Sequence, residues 1–232
     1  MLRYNLYVRN LFLKPAMAKG LEDHLTDEAD VAPGQLRLRE DWYYLTYLRV
    51  MKVRNFDPAL FELTENEVQS IRVTAFRIRK SKLLVRGSKA EIKEIQALLE
   101  ALALQVSGNA PGTELDHQQY FRIDPPEVDL GNVLKHYEDR GMVENVRKLR
   151  IKDLQVKLGS VRTCLIDTDD YGGVRKLLGD VDNKAVGVEL KLRDPEQTFL
   201  YVDIEGQVKI ATGSVDNDLD LEKMAEEVAL RL

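Results

Sequence analysis

The chain has 232 residues, of which 44% are hydrophobic and 31% are charged. This composition is ordinary for a globular protein and indicates neither a disordered tail nor a fibrous repeat. The formal net charge of −5 argues against a uniformly basic nucleic-acid coat protein, but it leaves room for a local basic surface because electrostatic fields follow clusters of charge. No stretch approaches the roughly 20 apolar residues of a membrane span. The sequence therefore predicts a cytoplasmic protein without membrane contact.

The first elements in chain order are a strand over residues 2–13 and a short helix that begins at Pro15. Residues 36–56 have two interpretations. Aromatic and β-branched residues alternate there, which favours two strands joined by a turn near Glu40-Asp41. A helix over residues 43–53 is the alternative. Asp57-Pro58 ends either structure, because the residue before a proline is biased away from helical geometry.

A repeated unit is the most informative feature of the chain. Residues 71–104 and residues 198–232 both read as strand, tight turn, strand, Gly-Ser and helix. The surface charges of the two copies differ, since Arg77 and Arg79 fall on Asp203 and Glu205. The shared positions are Gly87 with Gly213, Ser88 with Ser214, Phe76 with Val202, Ile78 with Ile204, and Leu84 with Ile210.

Between the two copies, residues 105–129 are rich in glycine, proline and polar residues and predict a boundary. After it, Asn132 is expected to cap a helix that continues to about Arg147, and short strands follow. Residues 185–192 alternate cleanly and predict a strand with one apolar side. The apolar side consists of Val186, Val188, Leu190 and Leu192, and the polar side of Gly187, Glu189 and Lys191.

These elements predict an α+β protein of two related lobes. Each lobe is expected to be a small, mostly antiparallel sheet covered by helices, and to contain one copy of the strand-turn-strand-helix unit. The predicted domains are an N-terminal lobe with a basic hairpin at residues 1–105, a linker at 106–129, and a C-terminal lobe with an acidic hairpin at 130–232.

The first hairpin is the leading candidate for a binding site. Its basic residues occur in a short run that no acidic residue interrupts before Glu91. A two-stranded ribbon can enter a nucleic-acid groove, and cationic side chains bind phosphates regardless of sequence. A solvated hairpin whose charges prevent edge aggregation explains the same pattern. The candidate residues are Arg72, Arg77, Arg79, Lys80, Lys82, Arg86 and Lys89.

A second basic run extends from residue 140 to residue 157. It includes Arg147, Lys148 and Arg150, but also the acidic residues Glu144 and Asp153. Positive charge is favourable at the C-terminal end of a helix, so a solvated helix end accounts for most of this run. We therefore rank it below the first hairpin as a binding site.

A third pattern points to a different class of function. Asp180 or Asp182, followed by Glu189 and Lys191, resembles the Asp…Glu-x-Lys pattern of restriction-type nucleases. In that family the carboxylates hold Mg²⁺ and the lysine steadies the attacking water or the scissile phosphate. Any amphipathic strand with charges two residues apart produces Glu-x-Lys on its wet side, which explains the pattern without catalysis.

The sequence thus favours a non-enzymatic binding or adaptor protein that contacts nucleic acid or an acidic protein surface through the basic hairpin. It is expected to need no cofactor, and a homo-oligomer or a larger complex is compatible with it. A metal-dependent nuclease that uses Mg²⁺ is the first alternative. A purely structural subunit of a larger assembly is the second.

Overall fold

The computed structural model describes residues 2–25, 30–31, 34–59, 61–108, 121–156, 159–167, 170, 172–174, 176, 184–194, 196–213 and 218–232. The helices are α1 (Pro15–His24), α2 (Lys89–Gly108), α3 (Leu130–Asp139) and α4 (Asp218–Ala229). The strands are β1 (Leu2–Leu13), β2 (Asp30–Val31), β3 (Gly34–Arg39), β4 (Trp42–Asp57), β5 (Glu62–Arg79), β6 (Lys82–Arg86), β7 (Phe121–Asp124), β8 (Val143–Val156), β9 (Gly159–Asp167), β10 (Lys184–Leu192), β11 (Phe199–Asp203) and β12 (Gln207–Thr212).

The prediction of two lobes, each with its own small sheet covered by helices, is wrong. The strands form one large antiparallel sheet in the order β2-β3-β4-β5-β6-β1-β12-β11-β10-β8-β9, and β7 pairs with β1 beside this path. The reason lies in β1, which pairs with the second strand of both repeated hairpins. It pairs with β12 from Leu2 to Tyr7 and with β6 from Leu6 to Asn10. One strand therefore joins what the sequence suggested were two separate sheets.

The chain divides into two compact units, and neither is continuous in sequence. Unit 1 contains Met1–Leu11, Ile78–Lys89 and Ile123–Leu232, and unit 2 contains Phe12–Arg77 and Ala90–Arg122. Half of the linker predicted at residues 106–129 falls on residues 109–120, which lie outside the described ranges, so the predicted domain boundaries stay a prediction. No helix in the described ranges is both long and apolar enough to span a membrane.

Unit 1 buries one side of its strands beneath two helices. α3 packs on β10 and α4 packs on β12. Alternation in the strands explains which side is covered, because every second residue of a strand points to the same face. The predicted apolar side of β10 is confirmed. The buried strand residues are Leu6, Val8, Val186, Val188, Leu190, Leu192, Leu200, Val202, Val208 and Ile210, and the buried helix residues include Leu130, Leu134, Tyr137, Leu221, Ala225 and Val228.

Unit 2 has its own core, formed by α1, α2, β3, the first part of β4 and the last part of β5. In α2, the helix after the first hairpin, apolar residues at helical spacing predict one buried face, and that face is buried, at Ile92, Ile95, Leu98, Leu99 and Leu102. Residues 42–57 are a strand and not a helix. Glu40 and Asp41 both have positive φ, at 49° and 68°. Two such residues between paired strands form the tight hairpin turn that the sequence predicted there.

The helix predicted from Asn132 to about Arg147 is too long by two turns. Asp129, and not Asn132, caps α3, and its side chain accepts a hydrogen bond of 3.0 Å from the backbone N–H of Asn132. The helix stops before Gly141, which has a φ of +66°. That left-handed conformation ends a helix and suits glycine. Residues Val143–Val156 form β8, so Arg147, Lys148 and Arg150 of the second basic run lie on a strand.

Candidate functional site

The basic residues of the first hairpin are held by acidic side chains of the same unit. Arg79 forms an ion pair of 3.3 Å with Glu226 of α4. Arg86 pairs with Glu222, one turn earlier on that helix, and Lys89 lies 2.6 Å from Glu205 in the second hairpin. Three of the seven basic residues of the first copy are therefore neutralised by acidic residues of the second copy.

The other four predicted residues have different surroundings. Lys82 donates a hydrogen bond of 2.5 Å to Asn10, and burial lowers the pKa of Lys82. Arg77 is half-buried, with its guanidinium 4.8 Å from the ring centre of Trp42. Arg72 and Lys80 are exposed. Lys80 and Ser81 both have positive φ and form the hairpin turn. Arg72 and Lys80 are thus exposed, as are the ion-paired residues Arg79 and Lys89.

The residues of the nuclease pattern are described only in part. Asp180 and Asp182 lie outside the described ranges. Glu189 and Lys191 are on β10, where Lys191 forms an ion pair of 2.8 Å with Glu144 on the neighbouring strand β8. Within the described ranges, no group of three His, Cys, Asp or Glu side chains could hold a metal ion. The nuclease interpretation stays a prediction.

The uncovered side of the unit 1 sheet has a different composition from the helix-covered side. The polar side of β10 continues onto Phe199 and Tyr201 of β11, because Glu189 pairs with Tyr201 and Lys191 pairs with Phe199. Tyr201 in turn pairs with Lys209 of β12. Directly paired residues of antiparallel strands share a face. These side chains therefore lie together on the side away from α3 and α4.

A groove of about 830 Å³ runs along this uncovered side, and we call it the sheet groove. The groove is predominantly basic, because Glu189 is the one acidic residue among the described residues that line it. Its basic residues come from three strands. They are Arg3 on β1, Arg147, Lys148 and Arg150 on β8, and Lys209 on β12.

A β-bulge concentrates charge at one end of the sheet groove. Glu189 pairs with Lys148, whereas the next residue of β10 pairs with Val146, so Arg147 is an extra residue on β8. Because of this irregularity, two consecutive cations reach Glu189. Its Oε1 lies 3.3 Å from Lys148 Nζ and 3.7 Å from Arg147 Nε. Neither contact has hydrogen-bond geometry, and in the described part of the chain Glu189 Oε1 is buried without a hydrogen-bond partner. Electrostatic attraction alone therefore holds this oxygen. One carboxylate against two cations leaves the site positive.

Two aromatic rings lie between the basic strands of the groove. The Arg147 guanidinium is 4.9 Å from the ring centre of Phe199, and Lys209 Nζ is 5.1 Å from that of Tyr201. The Tyr201 ring lies over Gly187, where a Cβ atom would be 2.7 Å from the tyrosine oxygen. Burial and the Asp203 carboxylate raise the pKa of Tyr201, and a hydrogen bond with Arg150 opposes them. Each ring is therefore paired with a cation of the groove.

A buried polar cluster lies beside the groove on the same strands. Gln207 Nε2 donates to Tyr7 Oη at 2.5 Å and to Asn5 Oδ1 at 3.1 Å. Burial, reinforced by Asp203 and by Glu205, raises the pKa of Tyr7 to about 12. Asp203 Oδ1 accepts hydrogen bonds of 2.9 Å from the backbone N–H groups of Glu205 and Gln207. These groups satisfy one another, which makes the cluster a support for the turn between β11 and β12.

Sequence reasoning found part of the sheet groove and missed the rest. It identified Arg147, Lys148 and Arg150, but it explained most of this basic run as the solvated end of a helix. It did not connect Arg3 and Lys209 with them, because these residues are about 140 and 60 positions away in the sequence. The available signal was parity, since Lys209 and Tyr201 each alternate with buried residues. No protein-family model matches the chain, and no curated protein matches it significantly in sequence.

Proposed function

We propose that this protein binds single-stranded nucleic acid in the sheet groove and that it acts as a binding or adaptor protein. The observation that carries the proposal is the charge of the groove, where five cations face one carboxylate beside two aromatic rings. Phosphate contacts supply most of the affinity of sequence-independent nucleic-acid binding, and aromatic side chains add stacking with bases.

The width of the groove is suited to a short stretch of one strand. Arg3 on β1 and Arg150 on β8 are separated by four strand intervals in the sheet order. At about 4.8 Å per interval, this corresponds to about 19 Å. That distance accommodates about four nucleotides, the low end of the site sizes of single-strand-binding domains. The basic residues are thus spaced to follow a backbone rather than to bind one small anion.

The aromatic residues favour a single strand over a duplex. Phe199 and Tyr201 are two residues apart on β11 and lie on the uncovered side of the sheet. The uncovered face of this sheet offers no protruding helix or ribbon that could enter the groove of a duplex. Unpaired bases, in contrast, can stack on exposed rings. Phosphates would draw Arg147 and Lys209 away from the two rings and make the rings available to bases.

The sheet groove is also a better candidate for the binding site than the first hairpin. Three of the seven hairpin cations form ion pairs with acidic residues of unit 1. A phosphate that bound them would have to compete with carboxylates already in place. In the sheet groove, the cations Arg3, Arg150 and Lys209 lie on a surface with a single acidic residue.

The test is a binding titration with matched charge-reversal variants. Fluorescence anisotropy would be measured with labelled single-stranded and duplex DNA and RNA, on protein freed of co-purified nucleic acid. The double variant Arg150→Glu/Lys209→Glu is expected to weaken single-strand binding by more than about tenfold at low salt. The double variant Arg72→Glu/Lys80→Glu makes the same change in net charge on the exposed part of the hairpin and is expected to have a much smaller effect.

Each other outcome points to one of the alternatives. A loss of binding confined to the hairpin variant would show that the binding site is the first hairpin. Binding to polyglutamate and not to any oligonucleotide would identify an acidic protein as the partner. Cleavage of the labelled strands in Mg²⁺ or Mn²⁺, abolished by Glu189→Ala, would establish the nuclease. The absence of all binding would overturn the proposal and leave a structural subunit.

A further inference from the structure

The outer part of β4 and β5 is a two-stranded ribbon, formed by residues 48–54 and 65–73. Its register runs without interruption from Leu48 opposite Ile71 to Arg54 opposite Glu65. β3 pairs with β4 only as far as Tyr47, so in the described part of the chain no third strand flanks the ribbon. A two-stranded hairpin is marginally stable in water and gains stability when its apolar face is covered.

One face of the ribbon carries an apolar stripe that is open to solvent. Leu48 and Ile71 are directly opposite each other, and Val50 and Val73 follow on the same face by strand alternation. Their exposed fractions are 53% for Leu48, 75% for Ile71, 51% for Val50 and 61% for Val73. Single exposed apolar residues are common, but a contiguous group of four marks a contact surface.

Farther along the same face, the charges are segregated by strand. Lys52 and Arg54 lie on β4, and opposite them Glu67 and Glu65 lie on β5. Arg54 Nε is 2.8 Å from Glu65 Oε1. The face therefore has an apolar part next to unit 2's core and a polar part with one positive and one negative strand.

We propose that this face binds the same face of a second copy of the chain. A two-fold axis parallel to the strands would place β4 of one copy over β5 of the other. Leu48 would then meet Ile71 of the second copy, with Val50 opposite Gln69 and Val73 opposite Thr46 of that copy. Lys52 would come near Glu67 of the second copy by the same operation. Such an interface is self-complementary and closes as a dimer.

The size of the face determines the expected strength. Seven residues at about 3.3 Å each, across two strands, give a contact of roughly 23 by 10 Å. This is well below the roughly 800 Å² per partner of a standard stable interface. We therefore expect a weak, concentration-dependent dimer. The proposal does not depend on nucleic-acid binding, because it concerns unit 2 and the sheet groove belongs to unit 1.

The first experiment is sedimentation velocity of the full chain, free of nucleic acid, up to roughly 100 μM, a range that detects micromolar affinities. The wild type is expected to shift from monomer to dimer as concentration rises, and Val50→Lys/Ile71→Lys to remain monomeric with an unchanged melting temperature. The control Val68→Lys changes an exposed residue of β5 on the other face and should still dimerise. A wild type that is monomeric throughout, or equal loss in the control, would overturn the proposal.

A charge-exchange experiment tests the arrangement of the two copies. Lys52→Glu/Arg54→Glu makes the polar part entirely negative, and Glu65→Lys/Glu67→Lys makes it entirely positive. Each variant alone should dimerise more weakly than the wild type because like charges face each other. A mixture of the two should recover association as a heterodimer. If the mixture associates no better than either variant alone, the ribbon faces do not meet as proposed.

Discussion

At the scale of single residues, Arg86 shows how the first hairpin is used internally. It pairs with Glu222, donates a hydrogen bond of 3.0 Å to Tyr4 Oη, and lies 5.0 Å from the Tyr4 ring centre. A planar guanidinium with several N–H donors can make these contacts at the same time, which an ammonium does less well. Opposite charges on the two copies of the repeat therefore pair with each other within the chain. Their difference in charge is explained without two external partners.

The Lys89–Glu205 pair predicts a dependence of stability on pH. The hydrogen bond from Lys89 lowers the pKa of Glu205. A carboxyl group whose folded-state pKa is depressed stabilises the fold above its unfolded-state pKa, and this contribution is lost as pH falls through the folded-state value. Both side chains are about half exposed, at 58% and 43%. Solvent screening therefore limits the effect at pH 7 to about 1 kcal/mol or less.

Lys89→Met should lower the free energy of unfolding slightly at neutral pH, and the difference from the wild type should vanish once Glu205 is protonated in both proteins. Urea unfolding across the acidic range measures this difference. NMR titration of the Glu205 carboxyl group should show a higher pKa in the variant than in the wild type. Lys93→Met, on the exposed side of α2, serves as the control. An unchanged Glu205 pKa in Lys89→Met would contradict the assignment.

At the scale of elements, the turn between β11 and β12 depends on Gly206. Its φ is +76°, a left-handed conformation that suits glycine. A Cβ atom there would lie 2.6 Å from the carbonyl oxygen of Val8 and 2.6 Å from a ring carbon of Pro126. Gly206 also accepts a hydrogen bond of 2.8 Å from the backbone N–H of Val8. The turn is thus fixed by both its conformation and its close contact with β1.

Gly206→Ala should therefore destabilise the protein more than a change of backbone conformation alone would. Gly141→Ala is the matched control, because Gly141 has a φ of +66° and no heavy atom within 4 Å of the added Cβ. We expect a loss of about 1–2 kcal/mol for Gly141→Ala from the left-handed conformation. The loss for Gly206→Ala should be larger by a further 1 kcal/mol or more, since packed backbone must shift. Equal urea midpoints for the two variants would show that the contact with Val8 is unimportant.

Elements with a clean local pattern could be predicted from the sequence. The buried face of α2, the alternation of β10 and the turn at Glu40-Asp41 are all present. These features depend on residues close together in the chain. Residues 140–147 were predicted incorrectly as the end of a helix, because basic residues suit both a helix end and the solvent-exposed side of a strand. Propensity alone does not separate the two, since strand pairing with β10 decides the outcome.

At the scale of the whole molecule, the large sheet could not be predicted because its organisation depends on long-range pairing. β1 joins β6 and β12, whose residues are about 80 and 200 positions away from it. No local sequence pattern predicts such pairs, and the similar sequence patterns of the two hairpins suggested separate lobes. The sheet groove has the same origin, because it collects cations from β1, β8 and β12. A net charge of −5 conceals it, since a total does not show that only one of the described residues that line the groove is acidic.

This distribution of charge predicts how the proposed binding depends on salt. A single strand that contacts Z cations gives a slope of about −0.7Z when the logarithm of affinity is plotted against that of salt concentration. If all five basic residues of the sheet groove contact phosphates, the slope is about −3.5. Arg150→Met removes one contact and should make the slope shallower by about 0.7. Lys80→Met, which removes one exposed charge from the hairpin turn, should leave the slope unchanged. Anisotropy titrations between about 50 and 200 mM salt measure these slopes. Equal changes in both variants would mean that the strand responds to overall charge, and the sheet groove would then not be its binding site.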